Sequence, residues 1–250
     1  MAHEHASPLE TVSAVAQYYL KVVWNAQEWS ETPLSVKELA ARLGVTAGTV
    51  SEGVRKLADA GLIDHARYGQ IALTAQGRRA ALAVVRRHRL VETLLVETFG
   101  YSWDEVHDEA EVLEHAISDE LERRIDAHLG HPTHDPHGDP IPTADGDISI
   151  PAARHLGDLA AGECGVVTRV SDADPELLQR LAQVRVVPGE HVLVTQRDGA
   201  SALMFVAPGP HVAGEAVGDG DGAHTDPPVP AAAPVPFGLS ALGHVWVVPG

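Results

Sequence analysis

The 250-residue sequence predicts a mainly α protein with a smaller β part: an N-terminal winged helix-turn-helix, a pair of long helices and a small C-terminal β-barrel. Three observations predict it. Residues 35–73 read as helix, short Gly-containing turn, helix and β-hairpin, which is the sequence shape of a winged helix-turn-helix. Residues 75–129 run as two long amphipathic helices. From Ile148 the composition shifts to short Val-rich strands. The domains are accordingly expected at 1–74, 75–147 and 148–250.

Leu9, Val12, Val15, Ala16, Tyr19, Leu20, Val23 and Trp24 recur near the helical period, so residues 9–29 are expected as the first helix. Pro33 breaks it. Ser35, with Glu38 three residues later, has the pattern of a capping box opening VKELAARL, and Gly44 ends that helix. Thr46 is the N-cap of the next, AGTVSEGVRKLADA, which stops at Gly61. LIDHARYGQIALT follows as two strands around a Tyr68-Gly69-Gln70 turn. A long helix begins at Thr74 or Ala75 and terminates at Gly100. Another runs from Asp104 to Gly130, with Val106, Ala110, Leu113, Ile117, Leu121, Ile125 and Leu129 on its apolar positions. Two such faces pair with each other or with copies in a second subunit.

HPTHDPHGDPIPTADGD is a loop by composition, and turn chemistry accounts for His131, His134 and His137 better than metal binding does. GVVTRV, HVLVTQ, SALMFVA and GHVWVVPG read as strands, and Asp174-Pro175 opens a short helix, ELLQRLAQ. Arg197–Gly199 is a hairpin turn, and residues 208–237, rich in Gly, Pro and Ala, are a flexible insertion.

The formal net charge of −17 argues against nucleic acid, but its distribution does not. Residues 31–90 hold ten Lys and Arg against five acids, whereas residues 91–150 hold two Arg against sixteen acids. A DNA-binding module beside a cation-binding module has this segregation. The candidate DNA contacts are Ser35 at the first helix of the motif, Thr46, Gly48, Thr49, Ser51, Glu52, Arg55 and Lys56 on the second, and Arg67 on the wing. Short hydroxyls near a helix N-terminus suit close approach to phosphates and base edges. The single Cys164 excludes an internal disulfide framework, and no apolar run approaches the roughly 20 residues of a membrane helix. MAHEHASPLE has no signal-peptide character, so a cytoplasmic location is expected.

The densest chemistry lies in RRHRLVETLLVETFGYSWDEVHDEAEVLEHAISDELERRID, residues 86–126. His88 and Glu92 are four apart, as are His107 and Glu111, while Glu114 and His115 follow three and four after Glu111. Residues at i, i+3 and i+4 share a helix face, so two helices turn three imidazoles and three carboxylates toward one another. Convergence of that many donors implies a cation. No nucleophile–base pair, Gly-rich phosphate loop or Glu-x-x-His pair of a di-iron bundle occurs, so no enzymatic activity is expected. A winged-helix regulator sensing a small organic ligand, its carboxylates merely solvated, is the competing reading.

VRRHRLVE, VHDEAEVLEHAISDELERRID and HDPHGDPIP, downstream of a winged helix-turn-helix, resemble the diphtheria-toxin-repressor family of metal-dependent transcriptional regulators. The likeness covers residues 12–150 and, more weakly, the C-terminal barrel, which is similar to the family's SH3-like domain. It implies a homodimeric repressor that binds a palindromic operator in double-stranded DNA and controls metal-uptake genes, with two Mn²⁺ or Fe²⁺ ions per subunit. It implies an activating site at Glu111, Glu114 and His115 with a first-helix residue, and an ancillary site at His88, Glu92 and His107. Asp174 and Glu176 match loosely the ligands that the SH3-like domain lends in parts of the family. Glu111 stands where the iron-responsive branch has Cys, which places the chain with the manganese transport regulators, since carboxylate suits a harder ion. Tyr18 stands where that branch carries Asp and the iron branch Met. A phenol with a pKa near 10 is a poor ligand for a divalent ion at neutral pH.

Overall fold

Ser13 opens the first helix: its hydroxyl accepts the Ala16 N–H, so α1 spans Ala14–Glu28 and starts later than the apolar period suggested. Leu9 is buried ahead of that cap, within a turn. The computed structural model describes residues 7–29, 32, 34–65, 70–198, 203–208 and 234–249. A short strand, β1 (Leu34–Ser35), precedes α2 (Val36–Leu43), where Ser35 and Glu38 form the expected capping box. Gly44 ends α2 at φ +66°, a left-handed conformation that favours glycine. Thr46 accepts the Thr49 N–H to start α3 (Ala47–Asp59).

The strands β2 (Ile63–His65) and β3 (Gln70–Leu73) pair antiparallel, and β1 adds to the other side of β3 through Leu34↔Ile71 and Ser35↔Gln70. Gln70 is therefore a strand residue rather than part of the wing turn. The rest of that turn, with Arg67, lies outside the described residues.

Thr74 caps α4 (Ala75–Phe99), whose end at Gly100 has φ +74°. Gly77 in its first turn packs against the head: a Cβ there would lie 1.8 Å from the Leu62 carbonyl oxygen. Backbone cannot yield to that overlap as a side chain would. Gly77→Ala is expected to cost at least the 1–3 kcal/mol typical of overpacking, read as a lowered midpoint in thermal denaturation. An unchanged midpoint would show that α4 re-seats freely.

The second long helix is broken in two. α5 (Val106–Leu113) gives way to a turn at Glu114–Ala116, and Ser118, accepting the Leu121 N–H, opens α6 (Asp119–His128). The apolar period continues through the break, which is why periodicity alone reads one helix. Glu114 and His115 sit in the bend.

The chain forms two compact units, Met1–Gly100 with Asp108–Thr133 and Pro140–Ser149, and Tyr101–His107 with His134–Asp139 and Ile150–Gly250. In the first, Leu20, Val23, Leu39, Val50, Val54 and Ile71 of the head share one core with Leu82, Val84 and Val85 of α4. Head and helical region thus join in one body across position 74.

The second unit is a six-stranded antiparallel sheet in the order β4-β9-β5-β6-β7-β8. Its strands are β4 (Arg154–His155), β5 (Cys164–Val170), β6 (His191–Asp198), β7 (Leu203–Pro208), β8 (Val235–Gly238) and β9 (Val245–Pro249). Irregularities at Val167/Arg169 and Val194/Gln196 bend it, as bulges do. α7 (Pro175–Gln183) lays Leu177, Leu178 and Leu181 on a core with Val167, Val192 and Val247. α8 (Leu239–Leu242) lies between β8 and β9. Residues 235–237 of β8 are strand although they fall within the stretch read as an insertion, and residues 209–233 of that stretch lie outside the described residues. Arg197 and Asp198 extend β6 where a turn was expected, and Gly199 is outside the described residues. No helix among the described residues is long and apolar enough to cross a membrane.

Candidate metal centre and nucleic-acid interface

α3 buries Val50, Val54 and Leu57 and leaves Gly48, Thr49, Ser51, Glu52, Arg55 and Lys56 exposed, with Thr46 exposed at its N-cap. This follows from helical spacing, since the buried set recurs every three or four residues. The hydroxyls of Thr46 and Thr49 lie 3.0 Å apart, and Ser51 Oγ donates to the Ala47 carbonyl. Glu52 and Lys56 pair at 2.8 Å in solvent. Ser35 spends its hydroxyl on Glu38 at 2.7 Å, so it serves first as a cap.

Part of the basic charge of residues 31–90 is internal. Arg86, Arg87 and Arg89 are each less than 8% exposed. Arg86 donates to Glu122 at 2.9 Å and to the Pro142 carbonyl at 2.7 Å, and Arg87 meets Glu122 and Asp119. Arg89 forms a two-pronged pair with Glu28 of α1, at 3.0 and 2.6 Å, and also donates to the Pro140 carbonyl. Without those three, residues 31–90 hold seven basic side chains against five acids. That stretch is thus close to neutral overall, and α3 carries exposed hydroxyl and basic side chains.

Within the first unit, five charged or ionisable side chains make one connected polar chain, four of them hydrogen-bonded and the fifth, Glu92, in ion-pair contact with His88. Lys21 Nζ, on α1, donates to Glu111 Oε1 and Glu114 Oε2, each at 2.8 Å. Glu114 Oε2 also lies 2.6 Å from His88 Nδ1, and His88 Nε2 lies 3.0 Å from Glu92 Oε1, one turn along α4. Lys21, His88, Glu92 and Glu114 are all buried. Burial opposes charge on Lys21, but Glu114 and Glu111 outweigh it and hold the ammonium above its usual range. Burial likewise opposes charge on Glu114, and His88 and Lys21 overcome it, holding the carboxyl below its usual range. For His88, burial is outweighed chiefly by Glu92, and the ring is raised.

Gln17 fixes His115. Its Nε2 donates to the Val12 carbonyl, so Oε1 faces His115 Nδ1 at 2.9 Å and can only accept. His115 Nε2 then turns its lone pair toward Glu114 Oε1, 3.3 Å away, a buried oxygen without a hydrogen bond. Burial lowers the His115 pKa, in keeping with a neutral ring. Tyr18 presents its ring to Lys21, with Nζ 5.7 Å from the centroid. Burial, then Glu111, pushes the phenol pKa up.

In the second unit, His107 Nδ1 lies 2.9 Å from Asp172 Oδ2. Asp174 instead caps α7, accepting the Leu177 N–H at 3.0 Å, and Glu176 is exposed in that helix's first turn. Asp172 carries no sequence signal of its own, since it lies two residues ahead of the capping pattern at Asp174. His137 stacks on Trp103 and donates from Nε2 to the Trp103 carbonyl at 2.6 Å.

Residues 11–71 match the family model of the iron dependent repressor N-terminal DNA binding domain, and residues 74–143 that of the iron dependent repressor metal binding and dimerisation domain. Residues 154–207 match the FeoA domain. The iron-dependent repressor IdeR of Mycobacterium leprae is 37% identical over 206 residues, covering 77% of this chain and 88% of its own. The chain belongs to the diphtheria-toxin-repressor family of metal-dependent transcriptional regulators. The diphtheria toxin repressor of Corynebacterium diphtheriae is 31% identical over 197 residues, covering 75% of this chain and 87% of its own. A solved structure described as a manganese-dependent transcriptional repressor in complex with manganese is 48% identical, with a TM-score of 0.82, covering 95% of this chain and all of that one.

Against the diphtheria-toxin-repressor pattern, the two expected sites differ in fit. Imidazole beside carboxylate, as in His88–Glu92 and His107–Asp172, is a donor chemistry that suits a divalent ion bound through N and O. The Glu111, Glu114 and His115 group does not fit such an ion. An ammonium already takes one oxygen of each carboxylate, so the second oxygen of Glu111, Glu114 Oε1 and His115 Nε2 surround a place that already holds a positive charge.

Proposed function

We propose that this chain is a Mn²⁺-activated, or alternatively Fe²⁺-activated, repressor of metal-uptake genes, acting in the cytoplasm as a homodimer on a palindromic operator. The observation that carries this reading is the buried imidazole–carboxylate pair, His88 with Glu92, on the same helix that packs into the DNA-binding head. The chain's single cysteine lies on β5 of the second unit and in none of the ligand positions, so the proposed ligands are all nitrogen and oxygen, which favours Mn²⁺ over softer ions. His88, Glu92 and His107 are proposed as the ligands. A bound divalent ion supplies positive charge that neutralises buried carboxylate and fixes the side chains around it.

The rest of the mechanism belongs to the protein's own residues. Thr49, Ser51, Arg55 and Lys56 meet phosphates and base edges, and Thr46 sets the start of the helix that presents them. A dimer reads half-sites about one helical turn apart, roughly 34–36 Å, so α4 must hold each head at a fixed pitch. Ordering of His88 and Glu92 stiffens α4 and raises the population of that spacing, by a coupling on the order of 1–3 kcal/mol.

Titration of the protein on its own promoter by gel shift, with Mn²⁺, Fe²⁺ and Zn²⁺ compared, tests this. Operator affinity is expected to rise with Mn²⁺ or Fe²⁺. Arg55→Ala with Lys56→Ala should weaken binding across sequences and flatten its salt dependence by about two phosphate contacts. A response to none of the ions would favour a regulator of organic-ligand type.

A further inference from the structure

We propose that Lys21 is a resident cation: its ammonium takes the place between Glu111 and Glu114 that a divalent ion occupies in the family's activating site, so this chain binds no ion there. The inference rests on the family reading of Glu111, Glu114 and His115 as that site. Two further features of α1 carry it.

The first is the geometry of Lys21 itself. Nζ sits 2.8 Å from an oxygen of each carboxylate, and the residue is 2% exposed, with no solvent-facing position to share. It donates to the same Glu114 oxygen that bonds His88, so the ammonium is built into the polar chain that runs on to Glu92. A dication added beside it would meet a positive charge that the same two carboxylates already attract.

The second is Tyr18. At the position expected to give a carboxylate or thioether, one turn before Lys21, the chain offers an aromatic face 5.7 Å from Nζ. An aromatic face attracts an ammonium and gives nothing to a hydrated dication that needs oxygen donors. The phenol at an expected ligand position and the buried ammonium one turn further on therefore point the same way. The consequence is mechanical as well as chemical. Lys21 belongs to the DNA-binding domain and Glu111 and Glu114 to the metal binding and dimerisation domain, so the two are tied without metal. Ion control passes to His88, Glu92 and His107 alone.

Crystals of the full chain soaked in Mn²⁺, with anomalous diffraction at the manganese edge, and calorimetric stoichiometry in solution test the proposal. Wild type is expected to show no manganese at Glu111, Glu114 and His115. Tyr18→Asp combined with Lys21→Glu is expected to gain one ion per chain there, and its metal-free form to bind operator at least tenfold more weakly than metal-free wild type. Tyr18→Asp alone should gain none, because the ammonium remains. Manganese ligated by Glu111 and Glu114 in wild type overturns the proposal, and that measurement stands even if the double variant does not fold. A folded double variant that still takes no ion at these residues overturns it too. Failure of the metal-sensor reading would look different: wild-type operator binding would ignore Mn²⁺ while the double variant still gained its ion.

Discussion

Glu28→Ala is expected to lower the free energy of unfolding by about 3–5 kcal/mol, the range for breaking one side of a buried ion pair. Glu28 and Arg89 are both buried and meet through two N–H···O contacts, at 3.0 and 2.6 Å, which lock the end of α1 to the middle of α4. Removing the carboxylate takes both oxygens of α1 away from a guanidinium that stays in the interior, where it also donates to the Pro140 carbonyl. The charged survivor, more than the lost contact, sets the size of the effect. Replacing both residues, Glu28→Leu with Arg89→Met, should therefore recover most of the loss, because no uncompensated charge stays behind. By contrast, Lys56→Ala, which breaks the solvent-exposed pair with Glu52, should cost under about 1 kcal/mol. Urea denaturation of the three variants checks the order. A Glu28→Ala loss no larger than that of Lys56→Ala would show that the interior here is well hydrated.

His88→Ala is expected to weaken Mn²⁺ binding beyond the roughly 10–100-fold typical of losing a partner outside the ligand shell, and to abolish the ion's effect on operator affinity. His88 contributes one ring nitrogen toward Glu92 and the other toward Glu114, so its loss also faces two buried carboxylates with nothing between them on that side. Glu92→Gln separates the two consequences. It keeps shape and hydrogen-bond capacity but removes the charge a divalent ion needs, so it should lose Mn²⁺ response with a smaller loss of stability. Calorimetry with Mn²⁺ and thermal melts of the metal-free forms provide both readouts. Retained Mn²⁺ affinity in both variants would remove these residues from the ligand set.

Most of the head was legible because its signals are local. Ser35, Thr46 and Thr74 cap the helices as their neighbours predict, and Gly44 and Gly100 end them with positive φ. The break after α5 was not, since Ser118 begins a new helix without disturbing the apolar period around it. The arginines of α4 misled for a different reason. Charge in a sequence reads as surface, and nothing local says that Glu28, Asp119 and Glu122 draw Arg86, Arg87 and Arg89 inside. Of the site, the His and Glu positions were visible through their spacing. Gln17 and Lys21 are masked in the sequence by the apolar period of α1 that surrounds them. Yet Gln17, Lys21, Trp24 and Glu28 recur every three or four residues and are all buried. A polar stripe at helical period, interleaved with one tryptophan, was the available sign.

α4 has one more implication. From Arg78 to Phe99 it contains no glycine or proline, and at about 1.5 Å per residue its 25 residues make a spar of roughly 37 Å. Its first turns are cemented into the head's core and its middle carries His88 and Glu92. On the proposed ligation, an ion held at mid-span would brace this helix against bowing. A tilt of a few degrees at mid-span would be multiplied along the beam into an ångström or so at the groove-reading end.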